Sequence, residues 1–166
     1  LKTLSQGKDR TLTRCEARYW LVYHHRKVVG RVAAIINHGY NEKTGVDYMR
    51  FGWLDFIEDP AVLKLLLNAV EQWAGEKKLK VVHGPLGFTS FDASGILVEG
   101  FDELPTAWGR YNHPYYGPML EAMGYKKEAD WIEHRIEVPS DFTPKELKMA
   151  SIMEKRFGLR QAELKG

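Results

Sequence analysis

The stretch FGWLDFIEDPAVLKLLLNAVEQW, Phe51 to Trp73, constrains the fold most, because a β-type run passes into a helical one across one short acidic turn. Val62, Leu66, Ala69, Val70 and Trp73 share one helical face, with Leu63, Leu67 and Ala74 beside it. Lys64, Asn68, Glu71, Gln72 and Gly75 lie opposite, so the period is that of a helix with a broad apolar stripe. Asp59 suits the N-cap, and Pro60 suits the first helical position, where its missing N–H costs nothing. The spacing predicts a helix from about Pro60 to Glu76. LKVVHGP, Leu79 to Pro85, reads as a short buried strand after it. Strand, helix, strand in this order is a βαβ unit, which predicts parallel pairing of the two strands.

Upstream, CEARYWLVYHHRKVVGRVAAIINH alternates in side-chain type and is rich in β-branched and aromatic residues. It predicts a β-hairpin turning at HHRK, with a second strand from Val28 to Ile36 and Gly30 as a bulge or close-approach position. Gly39 to Asp47 reads as a polar loop, and Tyr48 to Ile57 as the third strand. From Gly84 to Gly109 periodicity fades. A long irregular stretch inside a compact domain is usually functional or mobile. A helix is expected from Tyr115 or Gly117 to Met123, closed by Gly124. YKKEADWIEHRIEVP reads as a further strand region, and an amphipathic helix is expected from Thr143 to Lys155.

The 166 residues suggest one domain able to bury a substantial core. With 24 basic and 22 acidic residues the net charge is only +2, which lacks the concentrated basic footprint of a nucleic-acid binder. The same balance gives no support for a membrane surface, and no apolar run approaches the ~20 residues of a membrane helix. A cytoplasmic protein is expected. The single cysteine, Cys15, precludes an intrachain disulfide and reads as a packed thiol rather than a nucleophile. No His/Cys/Asp/Glu spacing suggests a metal site, and no P-loop, G-x-S-x-G elbow or dinucleotide fingerprint is present.

The chemistry-bearing residues gather in the irregular part. HGPLGF and FDASG contain glycines and prolines that allow backbone to approach a ligand, or that merely serve the turns. LVEGFDELPTAWGRYNHPYY mixes Glu99, Asp102 and Glu103 with Trp108, Arg110, Tyr111, His113, Tyr115 and Tyr116. Carboxylates, histidine and tyrosine can relay a proton, and aromatic walls with a few polar groups describe a small-molecule pocket. The same residues could instead form a satisfied polar network that ties the segment to the sheet. His83, Phe88, Asp92, Trp108, Tyr111 and Tyr116 are the ligand-binding candidates. The acidic turn Glu58-Asp59 could orient an amine or simply cap the helix.

The order hairpin, strand, helix, strand, loop, helix, strand resembles the GNAT superfamily of acyl-CoA N-acyltransferases. YWLVYHHRKVVGRVAAI is similar to the GNAT hairpin, and MLEAMGYK to the helix end before the last GNAT strands; the likeness spans roughly residues 15–138. FGWLDFIEDPAVLKLLLNAVEQW, HGPLGFTSFD and LVEGFDELPTAWGRYNHPYY resemble the first half of bacterial two-module GNAT-like proteins. The resemblance implies an α/β (or α+β) fold: a mixed, mostly antiparallel twisted sheet with helices on both faces. It implies an acyltransferase-like module, binding acetyl-CoA, another acyl-CoA or another small ligand between residues 83–116 and the strand at 51–57. Direct transfer to an amine would need a base, for which Glu99, Asp102 and His113 are the candidates.

Two departures from the family pattern stand out. Where GNAT enzymes carry a glycine-bearing pyrophosphate loop, this chain has Phe56-Ile57-Glu58-Asp59-Pro60-Ala61-Val62, without glycine and with two carboxylates. At the position of the usual general-acid tyrosine it has Leu120. The expected organisation is an arm over 1–14, a GNAT-like domain over 15–138 and a C-terminal helix over 139–166. The start at Leu1 and the charged, helix-prone end suggest a parent chain that continues into a second GNAT-like domain. The alternative reading is a non-catalytic structural or protein-interaction module of a larger protein.

Overall fold

The computed structural model describes residues 13–106, 109–138 and 140–160. Most of the expected arm, and Trp108, lie outside the described residues. The chain divides at Asp130/Trp131 into two compact units.

The first unit is built on a four-stranded sheet, β1 (Cys15–His24), β2 (Lys27–Asn37), β3 (Tyr48–Phe56) and β4 (Val81–His83), in that spatial order. The first three strands pair antiparallel, and β4 joins β3 parallel, as a βαβ crossover requires. The fold is thus mixed α/β with a mostly antiparallel open sheet. His25 and Arg26, with φ of 43° and 67°, make the two-residue hairpin turn, whose backbone twist matches that of the flanking strands. The register shifts between Val22 and Tyr23, next to Gly30. A Cβ at Gly30 would lie 2.8 Å from Val62 Cγ1, so glycine lets the crossover helix settle on the sheet.

That helix, α2 (Pro60–Glu76), buries Val62, Leu63, Leu66, Leu67, Val70, Trp73 and Ala74. They pack on Val32, Ala34 and Ile36 of β2 and on Met49, Phe51, Leu54 and Phe56 of β3. The inward residues of β3 change phase between Phe51 and Leu54. The register explains this: Arg31 opposes Asp55 while Ala33 opposes Gly52, so β3 carries one extra residue, with Trp53 at φ 47°. Such a bulge flips the alternation, bringing Leu54 and Phe56 inward and placing Asp55 off the core. The other face of β2, Ala33 and Ile35, packs with Phe88 from the segment after β4.

Gly39 to Asp47 is not simply a loop. Residues His38–Thr44 form helix α1, capped by Asn37, whose Oδ1 accepts from the Tyr40 N–H at 2.9 Å, and closed by left-handed Gly45. The pair of stop signals flanks a stretch short enough to read as polar connection. Arg50 of β3 lies 4.5 Å over the Tyr40 ring and donates to the carbonyls of Gly87 and Phe88, so α1 and the 87–88 backbone cover the face opposite α2.

Helix α3 (Tyr116–Ala122) buries Tyr116 and Leu120 in the same core as α2. Between β4 and α3 the described residues form no helix or strand.

In the second unit, Thr143 and Glu146 form a reciprocal capping box for helix α4 (Pro144–Phe157), which ends at left-handed Gly158. The strand expected over Trp131 to Val138 does not form: those residues are exposed and lie in no strand of the described residues. Alternation alone cannot make a strand, because β structure is made by the partner that takes its backbone groups.

Loss of the α2 cap gives a direct check on the opening turn. Asp59→Ala is expected to cost about 1 kcal/mol of unfolding free energy, with Asp59→Asn and Asp59→Ser near wild type, measured by urea denaturation. A loss below ~0.3 kcal/mol would show that the cap is idle.

Candidate functional site at the end of β3

β4 pairs with only the first three residues of β3. Beyond them the outward backbone groups of β3 find other partners. The Leu86 N–H donates to the Phe51 carbonyl at 2.7 Å. A Cβ at Gly52 would lie 2.3 Å from the Leu86 carbonyl oxygen, so only glycine permits this approach. Further along, side chains replace a strand. Arg110 Nη2 donates to the Leu54 carbonyl at 3.0 Å, and the Tyr115 hydroxyl donates to the Phe56 carbonyl at 2.6 Å. The Phe56 N–H donates to the Tyr116 hydroxyl at 3.3 Å, which in turn donates to Asp55 Oδ1 at 2.7 Å. Arg31 Nη2 approaches Asp55 Oδ2 at 3.5 Å. His113 stacks on Tyr115 at 5.4 Å and 13°, with Tyr111 edge-on to His113 at 6.5 Å.

These groups form a polar and aromatic cluster at the C-terminal end of a strand, beside a helix start. Burial pushes the Tyr116 phenol well above its ordinary range, and the bond to Asp55 pushes it the same way. Tyr115 is also raised, by burial and then by the charges of Asp55 and Glu58. Burial lowers Arg110, against the pull of Asp55. Both tyrosines are therefore neutral O–H donors near neutral pH. The ionisable face of the cluster is Asp55, more than half exposed and held from two sides. An oriented, open carboxylate can hold an ammonium group or take a proton.

The raised phenol has a consequence for stability. A folded pKa above the unfolded one means that stability is full below the ordinary phenol value of 10.0 and is lost as pH rises beyond it. Tyr116→Phe is expected to flatten the decline in melting temperature above pH ~10 relative to wild type. An identical alkaline decline in both proteins would refute that origin.

The structure brings together five of the residues singled out from sequence, Arg110, Tyr111, His113, Tyr115 and Tyr116. Five of the remaining candidates lie elsewhere. His83 contacts Glu128 and meets Tyr48 edge-on at 5.5 Å, beside the start of β3. Phe88 is buried against Trp53 on the opposite face. Asp92 accepts from the Thr89 N–H at 2.8 Å and closes a turn. Glu99 and Asp102 are exposed on the irregular segment. Asp55 and Arg31 had no motif to mark them. The signal of Asp55 is positional, at the C-terminal end of the strand preceding the crossover helix, and Arg31 reaches it only through the β2–β3 pairing. Burial pushes the Cys15 thiol up, in line with a packed residue.

The turn before α2 does not fit a pyrophosphate. The Ala61 N–H is taken by Asp59 Oδ1 at 2.8 Å, and the Val62 and Leu63 N–H groups by the Asp59 carbonyl at 3.1 and 3.2 Å. Pro60 offers none. The donors that would cradle phosphate are consumed, and Glu58 and Asp59 add negative charge. Among the described residues no group of three or more His, Cys, Asp or Glu could hold a metal ion, and no helix is long and apolar enough to cross a membrane.

Two known proteins are similar in sequence. The chain is 31% identical over 144 residues to Protein YghO of Escherichia coli strain K12, covering 85% of this chain and 36% of that protein. It is 29% identical over 127 residues to the bacterial ceramide synthase of Caulobacter vibrioides, covering 76% of this chain and 33% of that protein. The chain thus spans about a third of the length of the curated relatives it matches. No family model matches it, and no solved structure does.

Proposed function

We propose that this chain is a GNAT-like part of an N-acyltransferase and that it contributes the amine-facing side of the active site. The observation that carries the reading is the 29% identity, over 76% of the chain, to a protein named as a ceramide synthase, since ceramide is an amide of a long-chain amine. The cluster at the end of β3 supports it. Amide formation requires an ammonium group to be held and then to lose its proton before its nitrogen can attack. Asp55 is open to solvent, oriented by Tyr116 and Arg31, and can do the holding. His113, stacked on Tyr115 in the same cluster, is the sequence candidate we assign as proton acceptor. Phosphate recognition of an acyl-CoA donor is not assigned to the α2 turn, whose donors are already used.

The test is amide formation by the full-length protein from a long-chain amine and an acyl-CoA. Asp55→Asn is expected to lower kcat/KM for the amine at least a hundredfold, and His113→Gln to lower kcat by a similar factor. One observation favours the rival, a supporting module without chemistry of its own: Arg110, Tyr115 and Tyr116 already occupy the outward backbone groups of β3. Full activity in both variants would establish that rival.

A further inference from the structure

Every described residue of the second unit is exposed except Ser151, which is half-buried. Yet the unit is rich in large apolar side chains. Trp131, Ile136 and Val138 are 90%, 81% and 86% exposed, and Met149, Ile152 and Phe157 of α4 are more than half exposed. We propose that this unit is a docking arm. Residues 131–138 add as a strand to the edge of a β-sheet in the part of the full-length protein that these 166 residues do not include, and α4 buries its apolar face in the same interface. Docking asks for no chemistry by this chain and is independent of the acyltransferase reading.

Both parts of the arm carry complete local signals. In an extended chain Ile132, His134, Ile136 and Val138 fall on one face, and Glu133, Arg135 and Glu137 on the other. One apolar and one charged face is the pattern of an antiparallel strand that covers a core on one side and meets water on the other. Helix α4 has its capping box at Thr143 and Glu146 and its left-handed stop at Gly158. Met149, Ile152, Met153 and Phe157 recur at the spacing of one helical face. A helix of 14 residues is marginal by itself in water and draws its stability from packing that face. Among the described residues of the unit neither face is buried, and exposed apolar surface on this scale marks an interaction site.

Charge and length select the occupant. Glu133 and Glu137 flank Arg135, and Glu146 and Glu154 sit among Lys145, Lys148, Lys155 and Arg156. The arm therefore lacks the strongly cationic face by which an interfacial helix holds to anionic lipid. The match to the two relatives takes in 36% and 33% of their lengths, so about two thirds of each has no counterpart in this chain. A domain on the same polypeptide is presented to the arm at ~millimolar effective concentration, which a freely diffusing second copy does not reach. Strand addition suits the sequence of the arm. Backbone hydrogen bonds supply the affinity, and pockets for alternate side chains, here Ile132, Ile136 and Val138, supply the register.

Hydrogen exchange on the full-length protein, read residue by residue, tests the docking. Alternate amides between Ile132 and Val138 are expected to exchange at least a hundredfold more slowly than their intrinsic rates, because an edge strand turns every second N–H to its neighbour. The protection is expected to survive hundredfold dilution and to need no lipid. Ile136→Asp and Met153→Asp are each expected to cut it at least tenfold, whereas Glu137→Gln, on the charged face, leaves it within twofold. Exchange at intrinsic rates throughout 132–138 would overturn the proposal. So would protection lost on dilution, which marks a second copy, or protection only with anionic vesicles, which marks a membrane. Equal losses in Ile136→Asp and Glu137→Gln would overturn it too, since the apolar face would then not be the one buried. The wild-type profile decides even where a variant does not fold.

Discussion

Replacing Phe51 by alanine is expected to lower the free energy of unfolding by about 3–5 kcal/mol. The ring is fully buried, packs edge-to-face on Tyr125 at 5.5 Å and belongs to the core under α2. A Cβ on Gly84 would come within 2.7 Å of it, so backbone presses on the ring directly. The neighbourhood is a sheet, a helix and an extended backbone, none of which can collapse into the gap, which places the cost at the upper part of the range. Phe51→Leu keeps most of the volume and is expected to lose about 1–2 kcal/mol. Urea denaturation followed by circular dichroism gives both values. An alanine variant within 1 kcal/mol of wild type would mean that the segment after β4 does not wall the core as described.

Asn112→Ala is expected to be nearly as costly, about 2–4 kcal/mol, for a different reason. The side chain is the buried polar group that satisfies both backbone groups of Leu97 and the carbonyl of His113. Alanine leaves these groups to find water or remain unpaired, and an unmade buried hydrogen bond costs more than a made one gains. Asn112→Asp keeps the acceptor for the Leu97 N–H but sets a buried carboxylate oxygen against the Leu97 and His113 carbonyls, so it is expected to cost at least as much as alanine. Hydrogen exchange separates this prediction from general destabilisation. Protection at Leu97 is expected to drop by at least tenfold while that of β2 changes only with global stability. Equal loss of protection in both places would show that Asn112 acts on the core and not on the segment at Leu97.

Much of the first unit was legible in the chain. The α2 stripe, its Asp59-Pro60 start and the parallel β3–β4 pair follow from local periodicity and capping, because helix faces and caps are written in neighbouring residues. Gly30 was readable as a close-approach position, since no other residue type tolerates a helix packed at 2.8 Å from its missing Cβ. The α1 helix was missed although Asn37 and Gly45 bracket it. Strand character over 131–138 was overread, since period-two alternation describes a surface available for pairing and not a pairing.

The site divides in the same way. Tyr111, His113 and Tyr116 could be suspected from composition, but Asp55 and Arg31 could not, because they are far from that segment along the chain. What assembles them is the bulge at Trp53, which turns Asp55 away from the core, and the short reach of β4, which leaves the end of β3 without a strand neighbour on the side away from β2. Sequence by itself determined the hairpin, the α2 helix with its flanking strands and that the α2 turn is a poor home for phosphate, because each depends on residues within a few positions of one another. Only the tertiary structure decided that Arg110, Tyr115 and Tyr116 would complete the edge of β3 and gather a carboxylate among them. Those contacts join residues more than fifty positions apart, and which backbone groups lack a partner is known only once the sheet has formed.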